Sequence, residues 1–190
     1  MEPRIFITSD IHAYHKNIIK YCPESRKFSS VDEMNHAIIQ NWNNKISAQD
    51  SVYILGDVSF SNAYDSSRFL DQLNGQKFLI RGNHDVKHIK SSDFKQRFAW
   101  IKDYYELRYN GRWMILSHYP FLTWNGSHHK SIMFHGHLHS INPMELDCRR
   151  YDVGLDGSPD FSPYLIDDVI NVVDERLIKE IEICHHGREI

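Results

Sequence analysis

Asp10 and His12 stand one residue apart at the end of a short apolar run, Ile5-Phe6-Ile7. Residues that carry lone pairs follow apolar runs at four further places. Asp57 comes after Val52-Tyr53-Ile54-Leu55-Gly56, and Asn83, His84 and Asp85 come after Phe78-Leu79-Ile80. His118 closes the run Arg112 to Leu116, and His137 and His139 follow Ser131 to Phe134. In an α/β protein, ligands gather at the carboxyl ends of strands. Two carboxylates (Asp10, Asp57), four imidazoles (His12, His118, His137, His139) and the Asn83 amide oxygen are too many donors for one open catalytic ion. They suit two divalent ions sharing a bridging carboxylate. Mixed imidazole and carboxylate ligation favours manganese, with iron, zinc or nickel as alternatives, over magnesium or calcium.

Each block alone has a blander reading. Asp10 could cap a helix, and Gly56-Asp57 and Gly82-Asn83-His84-Asp85 could be plain turns. The stretch Phe134-His135-Gly136-His137-Leu138-His139-Ser140 could be one strand face that happens to be histidine. The weight lies in the order of all five blocks.

That ordered set, Asp10-x-His12, Gly56-Asp57, Gly82-Asn83-His84-Asp85, His118 and Gly136-His137-x-His139, resembles the calcineurin-like metallophosphoesterase superfamily. The first block, Ser9 to Ile19, is also similar to that of small single-domain bacterial and phage phosphoesterases. The resemblance implies an α/β fold, a four-layer α/β/β/α sandwich with mixed sheets and a dinuclear metal site at the strand C-terminal ends. It implies that Asp10, His12 and His139 hold one metal, that Asn83, His118 and His137 hold the other, and that Asp57 bridges. His84 would face substrate as general acid or phosphate-stabilising cation, with Asp85 orienting it. The reaction implied is hydrolysis of a phosphoester by hydroxide generated on the ions.

Phosphoprotein phosphatases of that superfamily carry an arginine in GDxVDRG. The corresponding stretch here, Gly56-Asp57-Val58-Ser59-Phe60-Ser61-Asn62, has none. Losing a bidentate phosphate clamp leans the expectation toward a phosphodiesterase acting on a small or nucleotide-type phosphodiester. A nuclease acting on DNA or RNA is the alternative, and a non-catalytic metal-binding scaffold is a third reading. Nucleic acid is a possible partner but not the favoured one, and no membrane partner is expected.

Other polar residues leave their roles open. His15 lies about one helical turn beyond His12 and could overhang the metals, contact phosphate or sit on the surface. Arg81 could bind phosphate or be a solvated charge. His128 and His129 sit in a loop and could reach phosphate. His135 is expected behind the metals rather than on them, with Gly136 letting the backbone turn at the strand end.

The elements that must position these groups are legible in outline. Strands are expected over 4–9, 51–55 and 77–80, alternating with helices over 14–20, 31–45 (capped by Ser30) and 66–73. Asn110-Gly111 between two β-type runs predicts a hairpin. Short strands are expected at 131–134, 151–154 and 181–183, and a helix from Leu165 to about Lys179. The 190 residues suit one domain over 1–190 with a real core, and a net charge of −3 demands no polyanionic partner. Three cysteines without short spacing argue against a disulfide framework and for a reducing cytoplasm. The N-terminus carries no signal-peptide pattern.

Overall fold

The computed structural model describes residues 2–142 and 148–175. Two mixed sheets pack face to face. The first has the order β4-β3-β2-β1-β9, built from β1 (Ile5–Thr8), β2 (Ser51–Ile54), β3 (Gln76–Ile80), β4 (Ile101–Lys102) and β9 (Tyr164–Leu165). β1 to β4 are parallel and β9 runs antiparallel to β1. The second sheet has the order β5-β6-β7-β8, from β5 (Tyr104–Tyr109), β6 (Arg112–Ser117), β7 (Ile132–His135) and β8 (Arg150–Asp152). Its β5–β6 pair is an antiparallel hairpin, and β6, β7 and β8 are parallel.

The central strands β1, β2 and β3 carry continuous apolar stretches, Ile5-Phe6-Ile7, Val52-Tyr53-Ile54 and Phe78-Leu79-Ile80, because both faces are covered. Phe6, Val52, Ile54 and Leu79 pack beneath Met34, Ile38 and Trp42 of α2 (Val31–Lys45) and Phe69 of α3 (Ala63–Leu70). Phe94 of the short α4 (Ser92–Lys95) joins this layer. The alternate residues Ile7, Tyr53, Leu55 and Ile80 meet Met114, Leu116, Ile132 and Phe134 of the second sheet. Ile166, Val169 and Val173 of α5 (Ile166–Asp174) close the same inter-sheet core. On the far face of the second sheet, the segment after His118 folds over β7, where the Phe121 N–H meets Met133 Sδ.

Several boundaries differ from the sequence reading. Only Ile18–Tyr21 is helical in the 14–20 stretch, here α1, because His12 and Tyr14 take left-handed backbone angles that break a helix before it starts. α3 begins at Ala63 rather than Ser66, since the Asn62 side chain accepts from the Asp65 N–H and caps the helix earlier. α2 matches its expected span, with Ser30 accepting from the Glu33 N–H. Asn110 and Gly111 both have positive φ, as a two-residue hairpin turn demands. The expected strand 181–183 and the end of the last helix lie outside the described residues. No described helix is long and apolar enough to cross a membrane.

Candidate metal centre

All the strand-end residues singled out by sequence come to one edge of the two sheets. The loops that carry them are stitched together through their backbones. The Asp10, His12 and Ala13 N–H groups donate to the carbonyls of Gly56, Asp57 and Val58 at 3.1, 3.0 and 3.1 Å. The Gly136 N–H donates to His118 O at 3.0 Å. Side chains add to this. Asp10 Oδ2 accepts from the His137 N–H at 2.8 Å, and Asp57 Oδ1 accepts from the His84 N–H at 2.9 Å.

This stitching holds a strained backbone. Asp10, His12, Asp57, His137 and His139 all have φ between 51° and 73°. A left-handed non-glycine residue costs about 1–3 kcal/mol and persists only where its surroundings over-determine it. The loops also approach one another too closely for a side chain. A Cβ on Gly82 would fall 2.2 Å from Asp57 Oδ1, and one on Gly136 would fall 2.2 Å from Asp10 Oδ2. Gly136 does not have a positive φ. It is glycine because the Ser9 side chain and the Asp10 carboxylate together occupy the space, and not for the turn expected from the sequence.

The donor atoms face an interior gap. Asp57 Oδ2 lies 3.7 Å from His12 Nε2, 3.8 Å from His84 Nε2 and 3.6 Å from His118 Nε2. Asp10 Oδ1 lies 3.6 Å from His12 Nε2 and 3.8 Å from His139 Nε2. These spacings are too long for hydrogen bonds but suit oxygens and nitrogens arranged around cations. Two groupings whose donor atoms lie close enough to share an ion result, Asp10–His12–His139 and Asp10–Asp57–His118.

The residues fit divalent ions on chemical grounds. Asp10 Oδ1 and both ring nitrogens of His12 are buried with no hydrogen-bond partner among the described residues. Buried polar atoms are otherwise almost always paired. His118 Nδ1 lies 2.7 Å from Leu55 O, so it donates there and its Nε2 lone pair points at Asn83 Oδ1, 2.9 Å away. A cation bound by both atoms would relieve the repulsion between two lone pairs so placed. Burial pulls the His12 imidazole down to about 4 against the attraction of Asp10, leaving it neutral as a ligand must be. Burial pushes the Asp10 carboxyl up, but His12 beside it and the neighbouring His139 and His118 bring it down to about 2. Burial raises the Asp57 carboxyl, with Asp10 and Asp85 adding to the effect.

Two supports beneath the cluster were not seen in the sequence. Arg26 is fully buried. Its guanidinium grips Asp156 through Nε and Nη2 at 2.9 Å each and donates to the Asp10 and Ile11 carbonyls at 2.6 and 3.1 Å. Asp156 Oδ2 in turn accepts from His139 Nδ1 at 2.8 Å. That bond fixes the ring and leaves Nε2 for the centre. Burial would lower the His139 imidazole, but Asp156 and Asp10 raise it. Cys22, His139 and Asp156 also lie within ligand distance of one another. Asp156 already takes four donors there, counting Ser25 Oγ, and has little left for an ion. One signal could have found it, because Asp156 follows the β8 run as the other acidic residues follow theirs.

Asp85 differs from expectation. Its carboxylate accepts the N–H groups of Asp57, Val58 and Gly82 at 2.9, 3.0 and 2.8 Å. It clamps the loops after β2 and β3 and does not orient the His84 ring. That ring instead leans on Phe60, with centroids 4.4 Å apart, and its side chain is 42% exposed at the mouth of the site. His15 also stacks on Phe60, at 3.7 Å and 8°. Arg81 turns to Asp103 at 2.9 Å. His135 is buried behind the cluster with Nδ1 3.0 Å from Gly136 O. His129 lies at the opposite end of the second sheet, beside the start of β6.

The model of the calcineurin-like phosphoesterase family matches residues 3–187. The chain belongs to the calcineurin-like phosphoesterase family. Members are typically dinuclear and metal-dependent, so this family member is a metal-dependent phosphoester hydrolase. It is 40% identical over 139 residues to the uncharacterized protein MJ1445 of Methanocaldococcus jannaschii, covering 72% of this chain and 70% of that one. It is 28% identical to the gene 66 protein of Mycobacterium phage D29, over 91% of this chain and 98% of that one. Among solved structures, the Aquifex aeolicus protein AQ665 superposes with a TM-score of 0.70 at 24% identity, over 90% of this chain and all of the other. That likeness concerns the fold.

Proposed function

We propose that this phosphoesterase is a dinuclear phosphodiesterase acting on small or nucleotide-type phosphodiesters, with manganese as the favoured ion. Asp10, His12 and His139 hold one ion, Asn83, His118 and His137 the other, and Asp57 lies between. The observation that carries the reading is the convergence of three imidazoles on Asp57 Oδ2 within 3.8 Å, beside buried donors that lack partners. When bound, the ions neutralise the phosphoester and supply a water-derived nucleophile.

The chain's own residues supply the rest. His84 is held by its backbone to Asp57 and by its ring to Phe60, and its partly exposed ring is placed to pass a proton to the leaving oxygen. The preference for a diester is supported by where two nearby arginines go. Arg26 is committed beneath the site and Arg81 to Asp103. Neither offers the bidentate grip that favours a dianionic monoester.

The test is a manganese-supplemented screen of aryl monoesters, aryl diesters, 2′,3′- and 3′,5′-cyclic nucleotides and short DNA. Diesters should be turned over at least about tenfold faster than monoesters, a difference of about 1.4 kcal/mol. A preference for monoesters would overturn the diester assignment.

A further inference from the structure

The three parallel strands of the second sheet have two ends. Their C-terminal ends feed the metal centre. Their N-terminal ends surround a cavity of about 730 Å³. β6 is six residues long, and at about 3.3 Å per residue it sets the two ends roughly 17 Å apart.

The topology lines up positive charge at this far end. Arg112 opens β6, Lys130 lies two residues before β7, and Arg149 immediately precedes β8. Pairing of Met114 with Ile132 and of Met133 with Arg150 brings these three to neighbouring positions across the sheet. Arg108 joins them from β5, with its guanidinium 4.9 Å from the Trp113 ring centre. Among the described residues, four cationic side chains thus line a cavity that holds one carboxylate, Asp174, in a chain whose net charge is −3.

The carboxylate does not satisfy them. Asp174 takes only Nη1 of Arg112, at 2.8 Å, and Arg112 Nε donates to the Lys130 carbonyl, which leaves Nη2. Arg112 Nη2 and Arg149 Nε are buried and have no hydrogen-bond partner among the described residues. Guanidinium N–H groups shielded from water and left without acceptors are costly unless an anion completes them. Guanidinium forks match phosphate oxygens in particular. Trp113 adds an aromatic surface, 39% exposed, at the same cavity, and bases stack on such rings without regard to sequence.

We propose that this cavity is a second, non-catalytic site for a nucleotide, free or at the end of a single strand. Arg112, Lys130 and Arg149 hold its phosphate and Trp113 carries its base. The site stands apart from the metal centre and does not depend on which ester the centre cleaves.

The experiment uses the full chain stripped of metal by chelation, so that the centre contributes no phosphate affinity. Inorganic phosphate, adenosine monophosphate and a labelled short single-stranded oligonucleotide are titrated at low salt by calorimetry and anisotropy. Adenosine monophosphate should bind saturably and more tightly than phosphate, and should quench tryptophan fluorescence in the wild type but much less in Trp113→Leu. Arg149→Gln and Lys130→Gln should each weaken binding about tenfold while leaving diester hydrolysis by the reloaded enzyme unchanged. An oligonucleotide binding far tighter than the mononucleotide identifies a strand as the source, and equal affinity identifies the free nucleotide. No saturable binding of any probe, or binding indifferent to both Arg149→Gln and Lys130→Gln, overturns the site. Phosphate binding as tightly as the nucleotide overturns the nucleotide assignment.

Discussion

The two halves of the metal centre are built differently. In the first, Asp10 and His12 are buried and His139 is anchored by Asp156, which is itself locked by Arg26. In the second, His118 is buried and tied to Leu55 O, while Asn83 and His137 are exposed. The His137 ring rests edge-on against His118 and the half-exposed Tyr119, at 5.1 and 4.7 Å. One half is preorganised from below and the other is open to the mouth. A preorganised site holds its ligands at little cost on binding. On the proposed assignment, the first half would hold its ion more tightly, and the ion of the second half would exchange more readily and meet substrate.

Removing the proposed proton donor should have the largest effect. His84→Ala should lower turnover of diesters with poor leaving groups by about 10²–10⁴-fold while both ions stay, as counted by elemental analysis. Loss of an ion would make His84 a ligand and erase the contrast between holding and reacting groups. Next comes the support of the anchored half. Asp156→Asn should weaken one ion by about 10–100-fold and spare the other in a calorimetric metal titration. An equal loss at both ions would show that the halves are not independent. His137→Gln should weaken the other ion by about tenfold, toward the low end of the same range, because its ring is held only by edge contacts. His135→Gln should leave more metal bound than either His137→Gln or His139→Gln.

The loop clamp is a separate, structural matter. Asp85→Ala strips three buried N–H groups of their acceptor, each worth about 1–3 kcal/mol. Even at the low end of that range the folded state should lose about 3 kcal/mol, read by denaturant unfolding of the metal-free chain. A change below about 0.5 kcal/mol would mean that the loops are held by the backbone bonds alone.

Much of this was legible in the sequence because burial on both faces makes a strand a continuous apolar run, and β1, β2 and β3 are such runs. The polar residues after them could then be recognised by position. The two-residue strands β4 and β9 carry no periodicity and passed unseen. Arg26 and Asp156 meet across 130 residues of chain, and neither has a local pattern that signals the other. The left-handed angles at five of the proposed ligand positions were also invisible, since none of them is glycine. Strain there arises from the stitching of separate loops, a property of the assembled site.

The central claim is that Asp57 joins the two halves. Asp57→Asn keeps the shape of the side chain and removes the charge that three imidazoles surround. Elemental analysis of this variant after manganese loading and desalting should find neither ion at significant occupancy, against two in the wild type. Two ions at wild-type occupancy would contradict the bridge.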